Sequence, residues 1–409
     1  MAKEYKDLVV GLDIGTAKVM VVVGEVLAGG ELKLAGLGVA PSHGLKRGAV
    51  VNIEATVQSI QQALKEAELM ADCSITRVLT GITGSHIRGM NSSGMVAIKD
   101  REVTATDVAR VMETAKAVNI STDQRLLLVE PQEFVIDGQD VKEPIGMSGI
   151  RLEAKVHIVT GAQSAAENIL KCVRRCGLEV EQLLLNPLAS SQAVLTADER
   201  ELGVACVDIG AGTTDVAIFS GGSIRHTAVI PIAGDLITSD IAMALRTPTR
   251  DAEDIKVEAG CAKQLLADPE QQVEVPGLGD RGPRMLSRQA LAGVIEPRVE
   301  EIFSLVQQVI RASGFEEVLS SGIVLTGGAS VMPGMVELGE DIFLKPVRRG
   351  VPHYASALAD MVAQPRCATV MGLMEEARLS RLRGLKVARQ AGSMKTAFGR
   401  LKDFIVGNF

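Results

Sequence analysis

One signature occurs twice in this chain, 195 residues apart, at Asp13 and Asp208. The first copy is Leu8-Val9-Val10-Gly11-Leu12-Asp13-Ile14-Gly15-Thr16-Ala17-Lys18-Val19. The second is Val204-Ala205-Cys206-Val207-Asp208-Ile209-Gly210-Ala211-Gly212-Thr213-Thr214-Asp215-Val216. Each is an apolar run ending in Asp-Ile-Gly, then a small-residue turn, then a second apolar run. That pattern predicts a buried strand hairpin with a tip that lets phosphate approach. Glycines leave room and free backbone N–H groups to face an anion. The aspartates suit a hydrated Mg²⁺ beside the phosphates. Asp-Ile-Gly-Thr alone is also compatible with an ordinary tight turn; the second copy is what favours function. Two such hairpins predict a duplicated fold that clamps one nucleotide from both sides.

At 409 residues the chain has room for two or more domains. Its eight Phe, two Tyr and no Trp disfavour base-stacking platforms, and its net charge of −7 disfavours a nucleic-acid footprint. The charge is uneven. Eight basic residues and one acid lie beyond Ala377, so that tail is +7 and the rest −14. A basic tail on an acidic body points the tail at an anionic surface. Six cysteines are scattered without a CxxC pair, and Cys172 and Cys176 read as helix packing rather than metal ligands. The start carries no signal-peptide pattern, and the most apolar window, 8–30, contains Asp13, Lys18 and Glu25. The expectation is a cytosolic protein.

Periodicity predicts three strands over 8–40, a helix over 52–70 capped by Asn52, and a strand over 76–82. Residues 84–162 read as a separate small unit, with strands at 94–99, 126–136 and 154–160. Its one helix, 105–118, opens with a Thr104/Asp107 capping box. A helix over 162–176 stops at Gly177. A strand over 179–185 and a helix over 187–197 then lead to the second hairpin. A helix over 235–245 follows Gly234. Residues 286–313 are helical in pattern, with Pro297 predicting a kink or a fresh start. A buried strand, Gly322-Ile323-Val324-Leu325-Thr326, runs into Gly327-Gly328 and a helix over 334–343. A helix over 366–377 closes the body, and 378–394 reads as a polar basic linker.

Several residues are candidates for the site. Gly327 and Gly328 let backbone lie flat against an adenine or ribose. The helix after Gly234-Asp235 offers unpaired N–H groups and a positive dipole end. Thr16, Thr213 and Thr214 supply hydroxyl and N–H groups for phosphate oxygens. Lys18 is a candidate counter-ion, or simply a strand-face lysine. No GxxxxGK[ST] run occurs, which disfavours a P-loop ATPase.

The last fifteen residues put Phe398, Leu401, Phe404, Ile405 and Phe409 largely on one helical face, with Lys395, Arg400 and Lys402 toward the other. This predicts an amphipathic helix lying in a membrane interface; the plainer alternative is a helix docked on the protein's own core. Five apolar side chains, at about 1.5–3 kcal/mol each before ordering costs, make an incomplete anchor. Many copies along a polymer would hold far better.

These motifs resemble the actin/Hsp70/sugar-kinase superfamily. The Asp13 hairpin is similar to its phosphate-1 loop, the Asp208 hairpin to its phosphate-2 loop, and Thr326-Gly327-Gly328-Ala329 to its adenosine loop. Ser239-Asp240-Ile241-Ala242, Asp251-Ala252-Glu253-Asp254-Ile255-Lys256, Glu296-Pro297-Arg298, the Gly322 strand and the terminal helix narrow the resemblance to the FtsA family of bacterial cell-division proteins. The resemblance implies an α/β actin-like (ribonuclease H-like, duplicated) fold with an inserted subdomain. Its implied parts are subdomain 1A (1–83, 163–198 and 356–377), 1C (84–162), 2A (199–228 and 301–355) and 2B (229–300), then the 378–394 linker and a 395–409 membrane helix. It implies ATP with Mg²⁺, held by Asp13, Gly15, Thr16, Ala17, Lys18, Asp208, Gly210, Gly212, Thr213 and Thr214. Gly234, Asp235, Lys256, Glu258, Gly327, Gly328, Ala329 and Met332 complete the implied set. Asp13 and Asp208 would meet the metal through water.

The resemblance also implies filaments, tethering of the FtsZ C-terminal peptide through 229–300, and recruitment of later divisome proteins through 84–162. It places the protein at the cytoplasmic face of the inner membrane, at the septum, on anionic phospholipid. One departure stands out. Readily hydrolysing relatives place a carboxylate at the start of the helix equivalent to 187–197, but Leu185-Asn186-Pro187-Leu188-Ala189-Ser190 holds no acid. The expectation is slow or negligible ATPase. A small-molecule kinase on the same fold would need a positioned Asp base, and an Hsp70-like chaperone a large further domain. An actin-like pilus-assembly scaffold would share the body but not the lipid-seeking tail.

Overall fold

The computed structural model describes residues 7–279, 282–354 and 358–391. The predicted tail helix with Phe398, Leu401, Phe404, Ile405 and Phe409 lies outside them.

The first apolar runs form β1 (Leu8–Ile14), β2 (Lys18–Val26) and β3 (Leu32–Pro41), each antiparallel to the next. A short hairpin, β4 (Leu45–Lys46) with β5 (Ala49–Val50), leads to α1 (Ile53–Ala71). Asn52 caps α1 by accepting from the Ala55 N–H at 3.1 Å. Val57, Ile60, Leu64 and Ala67 of α1 are buried against the sheet. Strand β6 (Arg77–Ile82) runs parallel to β1.

The chain then leaves the sheet for an insert of β7 (Arg88–Ala97), α2 (Ala105–Lys116), β8 (Gln124–Ile136), β9 (Gln139–Val141) and β10 (Arg151–Ala162). Its sheet has the order β7-β10-β8-β9. Val108, Val111, Met112 and Ala115 of α2 seal one face. The capping box at Thr104 and Asp107 forms as the sequence predicts. On return come α3 (Gln163–Arg175) and β11 (Glu179–Leu185), which pairs with β6.

The helix expected over 187–197 is shorter, α4 (Asn186–Val194). Thr196 starts a new helix, α5 (Ala197–Leu202), because its side chain and that of Glu199 cap each other's N–H groups. The second hairpin is β12 (Val204–Ile209) with β13 (Thr214–Ser220), followed by β14 (Ser223–Ile230). Next come α6 (Gly234–Leu245), α7 (Thr249–Ala259), the small hairpin β15 (Gln272–Val275) with β16 (Arg284–Ser287), and α8 (Arg288–Ser313). Helix α8 runs through Pro297 as one element, instead of starting afresh there. Leu291 and Ile295 before the proline share one core with Val299, Ile302 and Phe303 after it, so packing holds both halves in line. Strand β17 (Ile323–Thr326), α9 (Met335–Phe343), β18 (Val347–Arg349), α10 (Ala359–Val362) and α11 (Ala368–Ala391) complete the chain.

The two main sheets are built alike. One has the order β11-β6-β1-β2-β3, the other β18-β17-β12-β13-β14. Each is an antiparallel meander of three strands to whose first strand two parallel strands are added. The repeated hairpin is thus the start of a repeated lobe, and the pattern matches the duplication that the sequence predicts.

Two features differ from the sequence reading. Helix α11 continues to Ala391 where a linker was expected from 378. Its cations are held by the body. Arg378 donates to the Gly30 carbonyl at 2.9 Å and Arg381 pairs with Asp7 and Glu181, while Arg383 pairs within the helix with Glu376. The second concerns the insert. Its chain leaves and rejoins the first lobe, yet it is fastened to β14 of the second. Gln132 donates to the Ile224 carbonyl at 2.8 Å, Arg225 pairs with Glu133 at 2.6 Å, and His157 sits 2.9 Å from Thr227 Oγ1.

Candidate nucleotide-binding cleft

Both hairpin tips close with the same bond. Gly15 N–H donates to the Lys18 carbonyl at 3.0 Å, and Gly210 N–H to that of Thr213 at 2.9 Å. The tips meet between the lobes: a Cβ added to Gly212 would lie 2.5 Å from Thr16 Oγ1. Asp13 and Asp208 end equivalent strands and are both buried. Burial pushes the Asp13 carboxyl up to about 6, against the pull of Lys18 and with the repulsion of Asp208. Asp208 is also raised by burial, opposed by hydrogen bonds from Ser190 and Thr369 and by Lys18. Thr369 of α11 donates to Asp208 Oδ2 at 3.2 Å. Lys18 hydrogen-bonds the Arg366 carbonyl, and desolvation lowers its pKa against the pull of Asp13.

The sequence reading missed a third acid. Asp215 stands directly across the hairpin from Asp208 in the β12–β13 register. It is buried and accepts a 2.7 Å bond from Thr83 at the end of the first lobe's β6. Burial first, and Asp208 next, raise its pKa to about 8. The signal was available: an acid inside an otherwise apolar strand, opposite another acid.

A third element closes on the second tip. Gly327 has a φ of +86°, and a Cβ there would fall 2.3 Å from Asp208 Oδ1. Only glycine lets this turn lie on the carboxylate. At Gly328, one residue on, a Cβ would make only an ordinary contact, with Arg366 Cβ at 3.9 Å. Gly234, at the start of α6, faces the Gly210 carbonyl and the Ala329 side chain. Met332 lies beside Gly260 and is buried. Gly210, Gly234, Gly327 and Ala329 therefore form one small-residue slot, with Thr16 and Gly212 at its far end. Ala17 is exposed at the first tip.

Some expected contacts are arranged otherwise. The N–H groups of Gly234 and Asp235 are not unpaired; they donate to the carbonyls of Gly210 and Ala211 at 3.1 and 2.8 Å. This locks α6 onto the second turn. The Thr214 hydroxyl donates to the Ile232 carbonyl at 2.8 Å, and the buried Thr213 side chain hydrogen-bonds the Asp215 carboxyl. Lys256 reaches the first turn of α6, donating to Thr238 Oγ1 at 2.8 Å and to Glu253 at 2.6 Å. Glu258, two residues on, is exposed on another side of α7.

Along nearly its whole length the chain is similar to known proteins. A protein from Pseudomonas aeruginosa described as "Cell division protein FtsA" is 55% identical over 409 residues, covering 98% of both chains. The chain belongs to the FtsA family. The protein of the same description from Escherichia coli K12 is 48% identical over 387 residues, 93% of this chain and 92% of that one. The family model "Cell division protein FtsA" matches residues 205–372, and "SHS2 domain inserted in FTSA" matches 84–160, the β7–β10 insert. Among solved structures, the fold is similar to the PilM–PilN type IV pilus biogenesis complex (TM-score 0.63, 17% identity, 90% and 98% coverage). It is also similar to MreB5 of Spiroplasma citri bound to ADP (0.57, 15%, 93% and 99%) and to the MamK double helical filament (0.53, 13%, 91% and 99%). The FtsA-family fold is therefore actin-like, as the sequence resemblance implied, and the role is in cell division. The pilus-scaffold alternative rests on far lower identity.

Proposed function

We propose that this FtsA-family chain binds ATP with Mg²⁺ between its lobes and polymerises in the ATP-bound state. On this reading the chain holds FtsZ to the inner face of the cytoplasmic membrane at the septum and recruits later division proteins. The observation that carries the nucleotide reading is the meeting of the two equivalent turns at Thr16 and Gly212. The fit of the ligand rests on the chain's own residues. The glycines let the two turns, α6 and the Gly327 turn pack against one another where a Cβ would collide, and buried Asp13 and Asp208 are acids that a hydrated Mg²⁺ would neutralise. The base and ribose would lie along Gly234, Gly327, Gly328, Ala329 and Met332, with Lys256 and Glu258 at the α7 edge. The phosphates would lie toward Gly15, Thr16, Ala17, Lys18, Gly212 and Thr213. ADP bound to MreB5 and the MamK filament support the same reading for a fold-mate.

Turnover would be slow. The start of α4, from Asn186 to Ser190, holds no carboxylate that could serve as a general base for water. ATP would then govern assembly rather than drive repeated hydrolysis.

In the proposed division of labour, 229–300 grips the FtsZ C-terminal peptide and 84–162 recruits later proteins. Residues 395–409 lie on anionic lipid. No described helix is long and apolar enough to cross a membrane. The experiment has three arms on the full chain. Mg·ATP titration should give tight binding that Asp208→Ala weakens. Flotation with vesicles rich in anionic phospholipid should retain the full chain and lose one ending at Arg389. The FtsZ C-terminal peptide should pull the chain down. Unchanged flotation after truncation would end the membrane assignment.

A further inference from the structure

The two tips share their end of the cleft with a third turn. Strands β4 and β5 pair Lys46 with Ala49, which leaves Arg47 and Gly48 as a two-residue loop. Both have positive φ, +50° and +77°. This is a primed hairpin turn, whose first position favours Asn or Gly because a longer side chain is strained there. An arginine occupies it. Backbone strain of this kind concentrates at functional sites.

The turn is set against both lobes. A Cβ on Gly212 would come within 3.0 Å of Arg47 Cα. The Gly48 N–H donates to Thr16 Oγ1 at 3.3 Å. A Cβ on Gly48 would meet Thr83 Cγ2 at 3.1 Å. The Arg47 backbone is thus fixed beside the outer ends of both phosphate turns. Its side chain is exposed, and no ion pair or hydrogen bond ties it to another described residue.

The charge balance of the cleft gives that arginine a task. Asp13, Asp208 and Asp215 line it, and Lys18 is the cation that Asp13 and Asp208 share, itself bound to the Arg366 carbonyl. A triphosphate entering this acidic site needs cations. A guanidinium donates to phosphate oxygens in pairs and stays charged at any working pH. The direction along the cleft is also set. Gly210 faces Gly234 and Ala329 at one end, whereas Gly212 and Thr16 face Arg47 at the other. A nucleotide with its base at Ala329 brings its last phosphate to Arg47.

We infer that Arg47 is a ligand of the terminal phosphate of the bound nucleotide, so that the Arg47–Gly48 turn distinguishes ATP from ADP. This rests on the reading of the cleft as a nucleotide site. The outer phosphate, held by Arg47 beside Gly212, would also tie the first lobe to the second.

The test is calorimetric titration of the full chain with Mg·ATP and Mg·ADP, for the native protein and for Arg47→Ala, Arg47→Lys and Arg47→Asn. The native chain should prefer ATP. Arg47→Ala should weaken ATP binding about tenfold or more and leave ADP within about twofold. Arg47→Lys should keep part of the preference. Arg47→Asn should lose it yet raise the melting temperature, because Asn-Gly suits the turn. A turn residue of purely structural importance would not separate those two readouts. An ATP/ADP preference unchanged in Arg47→Ala overturns the inference while leaving the cleft reading intact. A native chain that binds neither nucleotide overturns both.

Discussion

Thr83 of the first lobe donates a 2.7 Å hydrogen bond to Asp215 of the second. The two side chains are buried and lie 132 positions apart in sequence, so this bond spans the cleft between the lobes. Thr83→Val removes the donor and keeps the shape. Asp215 keeps its side-chain bond from Thr213, so the loss is that of one hydrogen bond, about 0.5–1.5 kcal/mol, and denaturant unfolding of the nucleotide-free protein should show a loss of that size. A difference below about 0.5 kcal/mol would mean that the bond holds nothing together.

Asp215 also predicts a pH dependence. Its pKa is 3.8 when unfolded and about 8 when folded. The folded state therefore binds the proton more tightly. The stabilisation from this proton is complete below about pH 4 and is lost as pH rises toward 8. Asp215→Asn removes the titration. Relative to that variant, the native chain should lose about 1–4 kcal/mol between pH 5 and pH 8 without nucleotide or metal. Parallel curves for the two proteins would contradict this.

The insert is predicted to respond to acid with the opposite sign. His157 is fully buried, with Nδ1 2.6 Å from Asn91 Oδ1 and Nε2 2.9 Å from Thr227 Oγ1. Burial and neighbouring His226 lower its pKa from 6.5 to about 4. The neutral ring stabilises the docked insert above about pH 6.5, and that contribution is lost as pH falls toward 4. His157→Gln should flatten the acid limb by about 1–3 kcal/mol. Hydrogen exchange in β7 and β14 should rise on acidification in the native chain and not in the variant.

Gly327→Ala should damage both fold and site. The new Cβ would fall 2.3 Å from Asp208 Oδ1 at a φ of +86°. Backbone or the carboxylate must shift, so a stability loss of about 2 kcal/mol or more is expected, together with loss of Mg·ATP binding. Gly328→Ala, whose Cβ would make only an ordinary contact with Arg366, should leave stability nearly unchanged and weaken only the nucleotide.

Much of this was legible in the chain itself, for physical reasons. The twin hairpins announce themselves because buried strands need unbroken apolar runs and their tips need small residues. Asn52 and Thr104 mark helix starts because a cap is a local hydrogen bond. What the sequence hid is non-local. Helix α11 extends past 378 because Arg378 and Arg381 find partners on distant elements, at Gly30, Asp7 and Glu181. No local rule reports those. Pro297 stays inside α8 because one core grips both halves. Thr83 and Arg47 gain their meaning only when the two lobes bring them against Asp215 and Gly212.

The claim on which the rest depends is that the Asp13 and Asp208 turns enclose a single nucleotide. A crystal structure of the full chain with Mg²⁺ and a non-hydrolysable ATP analogue tests it most directly. The account predicts phosphates between residues 15–18 and 210–213, the metal beside Asp13 and Asp208, and the adenosine along Gly327 and Ala329. An analogue bound anywhere else, or turns parted around empty solvent at saturating ligand, would contradict it.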